Sequence, residues 1–255
     1  MLARAALSLI PRPRPAVLPS TVVSFTASSS VAAVADYNAV CGFPLRSSLP
    51  ATYPHIMAFG PTMRLMSGGD FPFPVVGLVH VANSFRVHGL LPLGASLDFS
   101  VVARDLRPHR RGRQFDVVTS ASLDGVLVWE ETSTYLRRGA PSELPASPEE
   151  TLDGPPSAVL RFPADAGRRY AAVSGDYNPI HTSLLGARAF GFSRPIAHGM
   201  YTLARVLAAT RPSASAVTAR FRAPILLGRS ASLRSTSAAA EVRSSERANV
   251  FVEFS

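Results

Sequence analysis

The stretch "SGDYNPIH", Ser174–His181, holds a carboxylate and an imidazole, Asp176 and His181, in one short segment. A carboxylate beside an imidazole can hold a water molecule and take its proton near neutral pH. The residues between them favour a rigid bend. Gly175 permits a backbone angle that other residues avoid, just ahead of Asp176. Pro179 drives Asn178 toward an extended conformation, and the Asn178 side chain can tie the bend by hydrogen bonds. The same composition also suits a plain Asx-type turn, followed by Thr182 or Ser183 as a helix cap. A second feature favours chemistry. "SRPIAHGMYTLARVL" sets Gly199 where an apolar helix begins. Helix N-termini present free N–H groups and the positive end of a dipole. A glycine there lets a carbonyl oxygen approach closely, which is the requirement for an oxyanion hole. His198, beside it, reads as a packing or hydrogen-bonding residue.

The elements that must position these groups occur twice. "YNAVCG" at Tyr37–Gly42 matches "YAAVSG" at Tyr170–Gly175. "AFG" at Ala58–Gly60 resembles "AHG" at Ala197–Gly199, and "SFRVHGLLPLGASL" at Ser84–Leu97 resembles "RFRAPILLGRSASL" at Arg220–Leu233. Three matches in one order imply an internal duplication. Each half should open on a short helix, around Val31–Val40 and Ala166–Val173, and continue to a buried helix around Thr62–Met66 and Met200–Ala209. In the latter, Met200, Leu203 and Leu207 share a face and Pro212 bars continuation. Strands fill the remainder. Leu97, Phe99 and Val101 alternate with polar residues, Val117 begins another strand, and Asp124-Gly125 signals a type I′ hairpin into "VLVWEETSTYLRR". Long antiparallel strands about one apolar helix per half give an α+β layout.

The repeat supplies an internal control. Phe43 stands where the second half has Asp176, and the first copy lacks a counterpart of His181. The polar loop was therefore kept in one copy, so a single active site is expected, in the second half. The second half also looks truncated: after "SASLRSTSA" only "VFVEFS" reads as strand, and an equivalent of Val126–Arg137 is not evident. Unpaired strand edges would then need a cover, from the leader or from the partner in a homodimer.

Composition narrows the classes. The 255 residues are 47% apolar, enough for real cores, and no run approaches the ~20 apolar residues of a membrane span. "MLARAALSLIPRPRPAVLP" reads as a flexible leader, not a signal peptide. One cysteine, Cys41, excludes an internal disulfide and any multi-cysteine zinc site, and points to the cytoplasm. The net charge of +9 comes from arginine without lysine. It is compatible with a solvated surface or with attraction to an anionic partner. No nucleic-acid-binding signature accompanies it.

"YAAVSGDYNPIHTSLLGARAFGFSRPIAHGM" resembles the signature of the MaoC-like, or (R)-specific enoyl-CoA hydratase, family. "LPATYPHIMAFGPTMRLM" and "FPFPVVGLVH" in the first half resemble the double-hotdog 3-hydroxyacyl-thioester dehydratases of that family. The resemblance covers most of the chain after about Thr21. It implies two hotdog units, each an antiparallel sheet around a central helix. It makes Asp176 and His181 the catalytic pair, Asn178 the loop-positioning residue, and the Gly199 N–H the oxyanion donor. It also implies (R)-specific hydration of trans-2-enoyl thioesters, or the reverse dehydration, in fatty-acid metabolism. The substrates would be thioesters of CoA or acyl-carrier protein, without metal or cofactor. Some members carry a serine further along the helix; "ARVLAA" has none. A hotdog thioesterase and an acyl-thioester-binding protein impaired in catalysis are the rival readings. The expected organisation is a leader at 1–20, a non-catalytic hotdog at 21–138 that serves as scaffold and acyl pocket, a linker at 139–156, and the catalytic hotdog at 157–255. Met57, Met63 and Met66 could line an adaptable acyl channel or simply fill the core.

Overall fold

The computed structural model describes residues 13–140, 143–145 and 149–255. The first half runs β1 (Val22–Ser28), α1 (Val31–Cys41), α2 (Tyr53–Met66), β2 (Leu78–Val87), β3 (Ser96–His109), β4 (Gly112–Leu123) and β5 (Val126–Arg138). The second runs β6 (Ala158–Phe162), α3 (Ala166–Ser174), α4 (Pro179–Thr182), α5 (Leu184–Ala189), α6 (Gly199–Thr210), β7 (Ala216–Phe221), β8 (Arg229–Ser235), β9 (Ala239–Arg243) and β10 (Ala248–Phe254). The strands form one sheet in the order β1-β3-β4-β5-β2-β7-β10-β9-β8-β6. Both halves therefore repeat one hotdog topology, joined where β2 meets β7.

The register at that seam supports the duplication. In the repeat, Phe85 corresponds to Phe221, so Ser84 corresponds to Arg220 and Ala82 to Thr218. The strands pair Ser84 with Thr218 and Ala82 with Arg220, around Asn83 opposite Ala219. A local two-fold axis through Asn83 and Ala219 produces this pattern. The helix ends agree as well: Gly42 and Gly175 both close their helices in the left-handed region, at φ 89° and 77°. The match of "AFG" with "AHG" does not hold. Ala58–Gly60 lies inside α2, whereas Gly199 opens α6. The residue that precedes α2, as His198 precedes α6, is Thr52.

α2 is longer than its sequence suggests. Pro61 in mid-helix removes one backbone donor, which is why the expectation began only at Thr62. Burial of Ala58, Leu65 and Met66 holds the helix through it, and Pro54 near its start carries no penalty. Met66 is fully buried, and Met57 and Met63 pack against the core. In α6, Met200, Tyr201, Leu203, Ala204, Val206 and Leu207 are all buried, so this helix is enclosed nearly all round. Each large side chain of this kind contributes roughly 1.5–3 kcal/mol by leaving water. α6 ends at Arg211, in the left-handed region at φ 47°, ahead of Pro212. The expected hairpin is present: Asp124 and Gly125 have φ 51° and 79°, the signs a type I′ turn needs.

Among the described residues the second half carries five strands, β6–β10, as the first does. β9 pairs with β8 and β10, and β10 occupies the place that β5 holds in the first half. β9 was overlooked because "AAEVR" is rich in Ala and Glu, weak strand formers. Tertiary contacts compensate: Glu241 is fully buried and paired with Arg243 and Arg234. The ground for an impaired second half is removed, and among the described residues the edge that this half leaves open is β6.

Residues 1–12 of the leader lie outside the described residues. The described remainder is not loose. Arg14 donates to the Phe71 and Phe73 carbonyls at 2.9 and 3.1 Å, and Leu18 packs on the core. The described linker residues are likewise anchored, by Glu149 to Arg247, Glu150 to Arg222, and the Leu152 N–H to Glu241. Among the described residues no helix is long and apolar enough to cross a membrane.

Candidate active site

α3 ends at Gly175, and the chain leaves it through a chain of short side-chain bonds. The Asp176 N–H donates to Ser174 Oγ (3.2 Å), the Asn178 N–H to Asp176 Oδ1 (3.1 Å), and the Ile180 N–H to Asn178 Oδ1 (3.3 Å). Asn178 thereby caps α4, with Pro179 in its first turn, and Ser183 caps α5 by accepting from the Gly186 N–H. The bend is thus an Asx-type turn as well as a presenter of Asp176. Turn chemistry and site chemistry use the same atoms.

The loop is pressed against its own helix. A Cβ on Gly167, in α3, would stand 1.9 Å from the His181 carbonyl oxygen. Only glycine lets the two backbones meet at this distance. Gly167 did not stand out in the sequence. A glycine inside a helix is the one signal that could have raised it.

His181 Nδ1 lies 2.8 Å from the Ile196 carbonyl. A carbonyl only accepts, so Nδ1 carries the proton and Nε2 keeps its lone pair. His198 Nε2 lies 3.0 Å from the Asp176 carbonyl and must donate to it. That nitrogen is also 3.8 Å from Asp176 Oδ2. The two rings stack with centroids 3.8 Å apart. A carboxylate oxygen of Asp176 and one nitrogen from each imidazole all lie within 4.8 Å of one another. This spacing is close enough for a metal ion, but His198 is unsuited to bind one. Its Nε2 is committed to the Asp176 carbonyl, and its Nδ1 is sealed in the interior without a partner.

The electrostatics separate the two histidines from an ordinary imidazole. Burial lowers the pKa of His181, against the pull of the Asp176 charge and the Ile196 hydrogen bond. Burial, with His181 alongside, lowers that of His198 to about 3. Both are neutral at pH 7. Asp176 keeps about 29% of its side chain exposed, so water can reach it, while His198 keeps 3%.

Gly199 is the first residue of α6, where backbone N–H groups have no partner within the helix. The expectation concerned room for a substrate; the structure adds a protein neighbour. A Cβ on Gly199 would come within 3.2 Å of the Phe221 ring. Phe43, the counterpart of Asp176, stacks on Tyr37 with centroids 6.2 Å apart.

One polar cluster was missed in the sequence. His55 Nδ1 lies 2.9 Å from both carboxylate oxygens of Glu131, and Asn83 Nδ2 donates to Glu131 Oε1 at 2.7 Å. Glu131 and Asn83 are buried. Alternation in "WEETSTY" carried the signal, because Glu131 shares the inward face with Trp129, Ser133 and Tyr135.

Comparisons with known proteins place the chain among its relatives. The model of the MaoC like domain matches residues 143–249. The chain is 39% identical over 241 residues to 3-hydroxyacyl-thioester dehydratase X of Mycobacterium tuberculosis, covering 91% of this chain and 86% of that protein. It is 28% identical over 177 residues to dehydratase Y of the same organism, covering 61% and 60%. Among solved structures, HtdX from M. tuberculosis superposes with a TM-score of 0.80 at 33% identity, covering 91% of this chain and 98% of that one. A MaoC-like dehydratase from Phytophthora capsici, at 18% identity, shares the fold with a TM-score of 0.76 over 94% and 96% of the two chains. The chain is a double-hotdog member of the MaoC-like 3-hydroxyacyl-thioester dehydratase family.

Proposed function

We propose that the protein is a hydro-lyase that interconverts trans-2-enoyl and (R)-3-hydroxyacyl thioesters, with one site per chain in the half spanning 157–255. The observation that carries this reading is the 2.8 Å contact of His181 Nδ1 with the Ile196 carbonyl, which sets the tautomer of His181. Its Nδ1–H is tied to the Ile196 carbonyl, so Nε2 is a lone-pair base beside the Asp176 carboxylate. In hydration, a water between Asp176 and His181 gives a proton to His181 Nε2 while its oxygen bonds to Cβ. The C=C electrons move to Cα and the thioester oxygen, where the Gly199 N–H stabilises the enolate-like charge. The proton that His181 took is passed to Cα by way of Asp176 or the same water network, which returns His181 to its neutral state and completes the addition of water. Dehydration runs the same steps backwards.

Asn178 positions the loop through its bonds to Asp176 and Ile180. The half spanning 21–138 serves as scaffold and acyl pocket. CoA or an acyl-carrier protein carries the acyl group. Arg188 and Arg194 line a hollow of about 330 Å³ with Leu184 and Pro195, next in the chain to the segments that hold His181. That setting suits an anionic carrier. A cytoplasmic setting suits the lone buried thiol of Cys41, and a homodimer is compatible with the open edges at β1 and β6.

The test is to mix the protein with crotonyl-CoA, follow loss of the enoyl absorbance, and determine the configuration of the product. Formation of the (R)-3-hydroxy thioester is expected. A free acid with released CoA would make the protein a thioesterase instead.

A further inference from the structure

The His55–Glu131 pair belongs to the first half, yet it lies at the seam. Asn83, which donates to Glu131 and to Ser133 Oγ (3.0 Å), is the residue on the local two-fold. Packed groups run without interruption from this pair to the second half. The His55 and His80 rings lie parallel, 6.1 Å apart. The His80 ring meets Phe221 edge to face at 5.1 Å. Phe221 in turn lies against Gly199. A buried carboxylate this well coordinated needs a positive partner, since an uncompensated buried charge is costly. Among the described residues His55, with Nδ1 2.9 Å from both of its oxygens, supplies one.

We infer that His55, held as an imidazolium by Glu131, is a positioning residue of the active site: its buried charge at the seam acts through His80 and Phe221 on the start of α6 at Gly199, and supports the negative charge that develops on the thioester oxygen. The inference rests on the lyase reading above. The groups in contact with His55 are Glu131 from β5, His80 from β2 and Phe59 from its own helix; Tyr135 packs on the far side against His80, and the Asp176 charge acts from further away. Burial alone would lower the His55 pKa, but the charge and hydrogen bonds of Glu131, with Asp176 further away, more than offset this and raise it. Burial alone would raise the Glu131 pKa, but the charge and hydrogen bond of His55, with the hydrogen bond from Asn83, more than offset this and lower it. His80, with a pKa of about 4 because of burial and the His55 charge, stays neutral. Tyr135 is pushed up by burial and by the Glu131 and Asp176 charges, and stays neutral too. Of the titratable groups clustered about Glu131, His55 is therefore the charged partner.

The sign gives a sharp test. His181 must be neutral, so activity rises with pH on the acid side. His55 must be charged, so activity falls as pH rises through its raised pKa, above 6.5. The wild type should show a bell-shaped profile for kcat. His55→Gln should lose the alkaline limb and about tenfold in kcat at neutral pH, with KM nearly unchanged; remote coupled groups typically have effects of this order. Glu131→Gln should move the limb to lower pH, because the group that raises His55 is gone. A folded His55→Gln protein with the wild-type limb, or with a change in KM alone, would overturn the inference. NMR titration of His55 in the wild type needs no variant: a midpoint above 6.5 supports the charged pair, and one at or below it defeats the idea. An inactive wild type would instead refute the lyase reading, while the NMR midpoint still reports on the pair.

Discussion

His181 and His198 stack with their planes 29° apart, and each gives its N–H to the segment that carries the other. His181 donates to Ile196, just ahead of α6, and His198 donates back to Asp176 in the polar loop. The loop and the helix start are thus cross-linked by two imidazoles that must both stay neutral.

A pH dependence follows. Both histidines have folded-state pKa values below the ordinary 6.5. Below 6.5 the unfolded chain binds more protons than the folded one, so stability falls as the pH drops. The loss should continue toward the His198 value of about 3. Urea midpoints measured from pH 7 to pH 4 should decline steadily, and kcat/KM should fall on the same side as His181 takes a proton. His198→Gln should flatten the stability trend.

Asp176→Asn and His181→Ala should each lower hydration by on the order of 10²-fold or more, the usual share of a general acid–base group. Circular dichroism and thermal melts would establish that the variants are folded. Near wild-type turnover in both would remove these residues from the chemistry.

Gly167→Ala sets two principles against each other. Helix propensity favours alanine by about 1 kcal/mol. The new Cβ would stand 1.9 Å from the His181 carbonyl oxygen, a contact no rotamer can relieve. Packing should win: a lower melting temperature and at least a tenfold loss of kcat are expected, on the order of what misplaced catalytic groups cost. An unchanged kcat would show that the loop can move away without harm.

The arginine-rich hairpin "RPHRRGRQ" should be a surface turn with two structural members, Arg107 and Arg113. Arg110 and Arg111 form its tip. Arg107 bonds to Asp116 and Asp105, and Arg113 stacks over Phe73 and donates to the Ala16 carbonyl. Replacing Arg110 and Arg111 by Ser should leave KM for an acyl-CoA within about twofold. Adding Arg113→Ser should lower stability slightly, as exposed contacts do. A large, salt-sensitive rise in KM from the first pair would instead make the hairpin a carrier contact.

Binding stoichiometry is a further check. A tight, unreactive thioester analogue should saturate at one per chain in a calorimetric titration, because Phe43 replaces the carboxylate in the first half and stacks on Tyr37 instead. Two equivalent sites would contradict loss of the first.

The sequence by itself determined what local chemistry can encode. Gly175, Asn178 and Pro179 set the bend, because their own backbone limits and side-chain bonds act over a few residues. Asp124-Gly125 set its hairpin for the same reason. The repeat placed the two halves in correspondence, and the seam register follows it residue by residue. Tertiary structure decided the rest. α2 runs through Pro61, and weak formers make the buried strand β9, because burial outweighs local preference in both. The neutral state of His181 depends on its partner Ile196 and on its burial, neither of which spacing reveals. Glu131 in a strand and His55 at a helix start are ordinary in sequence. Folding brings them together from opposite ends of the first half, and only in that enclosure does one carboxylate need one imidazolium.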